Sequence, residues 1–96
     1  MLEREISEWV IKNAKFHLPN TTFTDEELDH IVMCISHIDR WYREDWPLGD
    51  FLKAVVKNDL MEAFYRADDT NRKAMYLYCA FLHNELPGDW RKKGKA

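Results

Sequence analysis

The sequence predicts an all-α fold, a small single-domain bundle of four to five helices. Three observations lead there. Apolar residues recur at three- and four-residue spacing through most of the chain. No stretch of note alternates apolar and polar residues as a half-buried strand does. The three glycines and three prolines act as punctuation between the periodic segments.

The first helix is expected over residues 2–16. Leu2, Ile6, Trp9, Val10 and Ala14 make one stripe. Glu3, Glu5 and Glu8 lie near its positive end, and Lys12 and Lys15 near its negative end, so the charges complement the helix dipole. Leu18-Pro19-Asn20 closes it. The second helix has the clearest start. Thr24 followed by Glu27 is a capping box, and Phe23 with Leu28 can staple it. Leu28, Ile31, Val32, Ile35, Ile38 and Tyr42 mark one face. The helix should stop near Glu44, because Trp46 precedes Pro47 and the residue before proline avoids the α region.

Leu48-Gly49-Asp50 reads as a turn, with Asp50 able to cap the next helix. Phe51, Leu52, Val55 and Val56 are core-like. Asn58-Asp59 should then break or kink the chain, since both side chains bond the local backbone. A short helix is expected over 60–66. The last helix starts behind an Asp cap in Ala67-Asp68-Asp69-Thr70 and runs to about residue 85. It carries two apolar stripes: Ala74, Leu77, Tyr78, Phe81 and Met75, Cys79, Leu82, Leu86. Such a helix is central in a bundle or shared with a second subunit. Pro87-Gly88 stops it. Residues 1–90 form the expected domain, and 91–96 a basic, flexible tail.

Composition narrows the function classes. Ninety-six residues make one domain, and a 46% hydrophobic share argues against disorder. Four Trp, four Tyr and five Phe are many for this length, so some aromatics are expected on a partner surface. A net charge of −3 gives no global reason to bind nucleic acid. The run Arg91-Lys92-Lys93-Gly94-Lys95 reads as solvated tail. No apolar stretch approaches membrane length, the first turn is charged rather than leader-like, and Cys34 and Cys79 are expected to be reduced in a cytoplasmic protein.

Four constellations could carry chemistry. His30, Cys34 and His37 share a face of the second helix, and Cys79 and His83 a face of the last. Were the two faces to meet, they could hold zinc, but the spacing is looser than in a zinc motif, and no metal or other cofactor is expected. Cys34 with a neighbouring His is a nucleophile–base pair on paper only. Cys is usually buried, and no complete nucleophile–base–orienter set emerges, so no catalytic activity is expected. The third constellation is polar: Asn58, Asp59, Glu62, Arg66, Asp68 and Asn71, with Asn84 further on. It has two readings. Arg66 pairs with Glu62 or Asp59 while Asn58 and Asp68 act as caps; or the group lines a pocket in which Arg66 meets a small anionic ligand. The fourth, Trp41, Tyr42 and Trp46 among Arg40 and Arg43, suits a protein interface or the edge of the core better than nucleic acid, because Asp39, Glu44 and Asp45 dilute its charge.

Two stretches carry a resemblance. Pro47 to Asp68 contains P-L-G-D-F-L-K-A-V-V-K-N-D-L-M-E-A-F-Y-R-A-D, followed by Asn71, and F-L-H-N-E-L-P begins at Phe81. They resemble a family of short bacteriophage and prophage proteins with the pattern P-x-G-[ST]-F-L-x-A-V-L-x-N-D-L-x-E-A-x-x-R-A-D-x-x-N, then F-x-Y-N-x-x-P and a nearby Trp. The likeness covers about half the chain, from Pro47 to Trp90. Asp50 replaces the family's small hydroxyl residue, Val56 its Leu and His83 its aromatic, and Trp90 is followed by Arg91 rather than Gly. The resemblance implies a phage source and no particular activity. Small phage proteins often bind and block a host component, so the expected function is a non-enzymatic accessory protein engaging a host protein or itself, in the host cytoplasm. The alternative is a protein that binds or sequesters a nucleotide signal.

Overall fold

In the computed structural model, which describes residues 1–95, six helices are found and no strand among the described residues. They are α1 (Glu3–His17), α2 (Asp25–Glu44), α3 (Asp50–Val56), α4 (Leu60–Arg66), α5 (Asp69–Glu85) and α6 (Trp90–Lys95). The fold class is all-α, with one helix more than expected.

Local chemistry sets the boundaries. Thr24 and Glu27 form the capping box reciprocally, Thr24 N–H to Glu27 Oε1 at 3.0 Å and Glu27 N–H to Thr24 Oγ1 at 3.1 Å. α2 stops because Asp45 turns left-handed at φ 57°, its N–H closing on the carbonyls of Arg40 and Trp41. The break at Asn58-Asp59 has a similar cause. Asn58 takes φ 60°, a conformation asparagine tolerates, and Asp59 Oδ1 then accepts from Glu62 N–H at 3.2 Å to cap α4. The cap of α3 differs from expectation. Gly49 holds that position, Asp50 is already helical, and its carboxylate turns toward Arg66.

α1 and α2 pair along their lengths, and α5 packs across both. α3 meets α2, α4, α5 and α6. Both stripes of α5 are buried apart from Cys79, as a central helix requires. Phe81 meets Trp9 of α1 edge-on with ring centroids 5.4 Å apart. Tyr78 does the same with Phe51 of α3 at 5.8 Å. Ile6, Val10, Ile31, Ile35, Ile38, Leu77 and Leu82 complete the fully buried centre.

The basic run expected to be a flexible tail is helical through Lys95; Ala96 lies outside the described residues. Two anchors explain this. Trp90 is buried, and Gly94 sits so close to the end of α3 that a Cβ there would lie 2.0 Å from the Val56 carbonyl oxygen. Among the described residues, no helix is long and apolar enough to cross a membrane.

Candidate functional site

The polar residues singled out from the sequence fall into three separate places. Arg66 Nε donates to Glu62 Oε1 at 2.5 Å, one turn back on α4, and its terminal nitrogen lies 3.5 Å from Asp50 Oδ2. The helical i, i+4 spacing makes that pairing the nearest one available. Asn58 and Asp59 are spent on the left-handed turn and the α4 cap. Asp68 caps α5, accepting from Asn71 N–H at 2.7 Å. Asn84 is exposed near the far end of α5, about 20 Å along the helix from Asn71. Arg66 and Asn71 are therefore not brought to one pocket, and the arginine already faces two carboxylates.

Asn71 belongs to a buried polar network between α2 and α5. Its Oδ1 accepts from the Tyr78 hydroxyl at 2.7 Å and lies 4.0 Å from Cys34 Sγ. Cys34 Sγ in turn lies 3.5 Å from His30 Nε2, and that nitrogen 4.0 Å from Asp68 Oδ2. Burial pushes the Cys34 thiol up from its ordinary value, and burial together with the nearby Cys34 pushes the Tyr78 phenol up strongly. Burial disfavours the thiolate and the phenolate there, and the network ties α2 to α5.

The other histidines and Cys79 are used separately. His83 Nδ1 donates to the Cys79 carbonyl at 2.9 Å, leaving Nε2 to accept from Arg91 at 2.8 Å while the ring stands edge-on to Trp90. His83 is thus a bracket for α6. His37 lies against Trp46 with centroids 6.1 Å apart. Among the described residues no three His, Cys, Asp or Glu side chains form a group able to hold a metal ion. The arginines of the aromatic segment also have partners. Arg40 covers the Trp46 ring at 3.7 Å, and Arg43 Nε bonds the buried Asp39 at 2.9 Å.

Glu27 does more than cap. Its carboxylate also receives Lys73 Nζ, 2.8 Å from Oε2, and the Thr70 hydroxyl at 3.3 Å, joining the start of α2 to α5. The lysine first, then the Thr24 amide, hold the carboxyl at about 2, below its ordinary 4.5. A carboxyl depressed in the folded state stabilises it above the unfolded value, and that contribution is lost as pH falls through the folded one. Glu27→Gln should therefore flatten the decline of melting temperature between about pH 5 and pH 2. Parallel profiles for variant and parent would show that the ion pair contributes nothing to acid stability.

The most exposed apolar surface lies on α4. Leu60, Met61, Phe64 and Tyr65 are 65%, 84%, 42% and 84% exposed. The helix rests chiefly on α3 and buries its small residue Ala63, with Ala67 just beyond its end. The sequence marks this segment as amphipathic and points to its polar side, whereas the exposed apolar side is the unpartnered one. The available signal is the alanine: a seven-residue helix seated on Ala63 turns its large side chains outward. No family model matches the chain, and no curated protein or solved structure matches it either.

Proposed function

We propose that the chain is a non-enzymatic binding protein whose docking element is α4. The carrying observation is the exposed ridge of Leu60, Met61, Phe64 and Tyr65 on a helix of seven residues. Scattered apolar residues on a surface mean little, but four large ones on two turns form a contiguous patch. Together they expose on the order of 500 Å², against about 800 Å² contributed per partner in a standard interface. Asp59, Glu62 and Arg66 supply a polar rim beside it, as interfaces have. The ridge is convex, so the occupant is a different protein offering an apolar groove; two copies of α4 would meet ridge to ridge. By the chain's resemblance to short phage proteins, that partner is a host protein of the bacterial cytoplasm. Arg66 supports the same direction, because two carboxylates already neutralise it.

The test is site-directed photocrosslinking with benzoyl-phenylalanine in place of Tyr65, and in place of Lys12 as control. A specific adduct from position 65 alone, reconstituted with the purified partner, is expected. Met61→Ser with Tyr65→Ser should then weaken that binding at least about tenfold with melting temperature unchanged. Equal labelling from both positions, or an adduct only with another copy of the chain, would overturn the proposal.

A further inference from the structure

Folding α6 onto α3 creates a second feature. Lys53 and Lys57 lie one turn apart on α3 and its C-cap, and Lys93 comes from α6. With Trp41, Val56 and Gly94 they line a cleft of about 280 Å³, and no carboxylate is among its lining residues. Gly94 makes this possible, since any side chain there would strike the Val56 carbonyl and hold the helices apart. The acidic net charge hides this locally positive place.

Several cations elsewhere in the fold are already held by acidic partners. Arg40, Arg43, Arg66, Arg72 and Lys73 each face a carboxylate. Among the described residues neither Lys53 nor Lys57 does. Like charges one helical turn apart repel, and an anion between them turns that cost into attraction. Lys93 pairs with Asp45, whose side chain is largely exposed, and reaches over the Trp41 ring with Nζ 5.6 Å from its centroid. A surface pair of that kind contributes little and exchanges readily for a doubly charged ligand. An aromatic plane beside three ammonium groups matches a compact ligand with a phosphate at one end and a flat ring at the other. The volume lies near the lower limit for small-molecule sites and suits a single nucleotide better than an extended strand.

We propose that the Trp41–Lys53–Lys57–Lys93 cleft binds a nucleoside phosphate, its phosphates on the three lysines and its base against Trp41. This site is separate from α4 and stands whether or not a partner docks there.

The experiment is an amide and indole NMR titration of the whole chain with adenosine diphosphate, with adenosine and inorganic phosphate as separate arms. Saturable shifts at Lys53, Lys57, Gly94 and the Trp41 indole are expected, tightest with the diphosphate and weakened by salt. Lys53→Gln with Lys57→Gln should weaken binding at least about tenfold while leaving the melting temperature in place. Four results would overturn the proposal: no shifts at millimolar diphosphate, undiminished binding by the double variant, adenosine binding as tightly as its diphosphate, or tighter binding at these residues by oligothymidine or an oligoglutamate peptide.

Discussion

Gly94→Ala should lower stability by about 2–3 kcal/mol and the melting temperature by roughly 10–20 °C. The sign decides between two pictures of the C-terminal segment. In a solvated helix or flexible tail, alanine is neutral or better than glycine by up to about 1 kcal/mol. Against α3 it cannot be, because its Cβ would stand 2.0 Å from the Val56 carbonyl oxygen and 2.9 Å from the carbonyl carbon. Those are backbone atoms of a packed helix and cannot rotate aside, so α6 must lift. Lifting also exposes part of Trp90, which is buried now. Lys92→Ala on the exposed side of α6 is the control and should leave the melt unchanged. A circular-dichroism melt of the three proteins is sufficient. A Gly94→Ala variant as stable as the parent would mean that α6 does not pack on α3.

Phe81→Ala should cost more, about 3–5 kcal/mol. Phe81 is fully buried at the centre of α5 and supports the Trp9 ring edge-on. Removing it opens a cavity where α1 and α5 meet, and close-packed neighbours relax into such a space only in part. A chain of this length has a total stability of roughly 5–14 kcal/mol, so a single substitution can consume a third or more of it. Urea denaturation should show a lower midpoint at an unchanged slope. Phe16→Ala, an exposed aromatic on the same chain, should shift the midpoint little.

The features readable in the sequence are those written in neighbouring residues. The capping box at Thr24, the break at Asn58-Asp59 and the two stripes of α5 each arise from local spacing and side-chain chemistry, and the structure has all three. The features that escape such a reading depend on contacts between distant segments. Arg91-Lys92-Lys93-Gly94-Lys95 has no apolar periodicity. Its helix rests on one tryptophan and one missing Cβ, and the surface it meets is a backbone carbonyl of α3. The second task of Glu27 is hidden for the same reason, since Lys73 is 46 residues away. On α4 the sequence draws attention to the polar side, while the large apolar side chains face outward on the other. Asn58, Asp59 and Asp68 carry the polar chemistry of caps and do act as caps or at a turn, whereas the outward face of α4 is set only by the packing beneath it. Asn71 stands out for good reason, because it is buried and bonded, but its partners are Tyr78 and Cys34 and not Arg66.

The position of α5 has a consequence for how the chain acquires its structure. α1 with α2 lies before it in sequence and α3 with α4 as well, yet both pairs lean on it. During synthesis neither pair can complete the burial of its isoleucines and valines until Asp69–Glu85 has left the ribosome. Until then the sides of Ile6, Val10, Ile31 and Ile35 that α5 will cover stay open to water, and to any chaperone that collects apolar segments. When α5 arrives, one helix closes both halves at once. The order of the helices along the chain thus places the element shared by both halves late in synthesis.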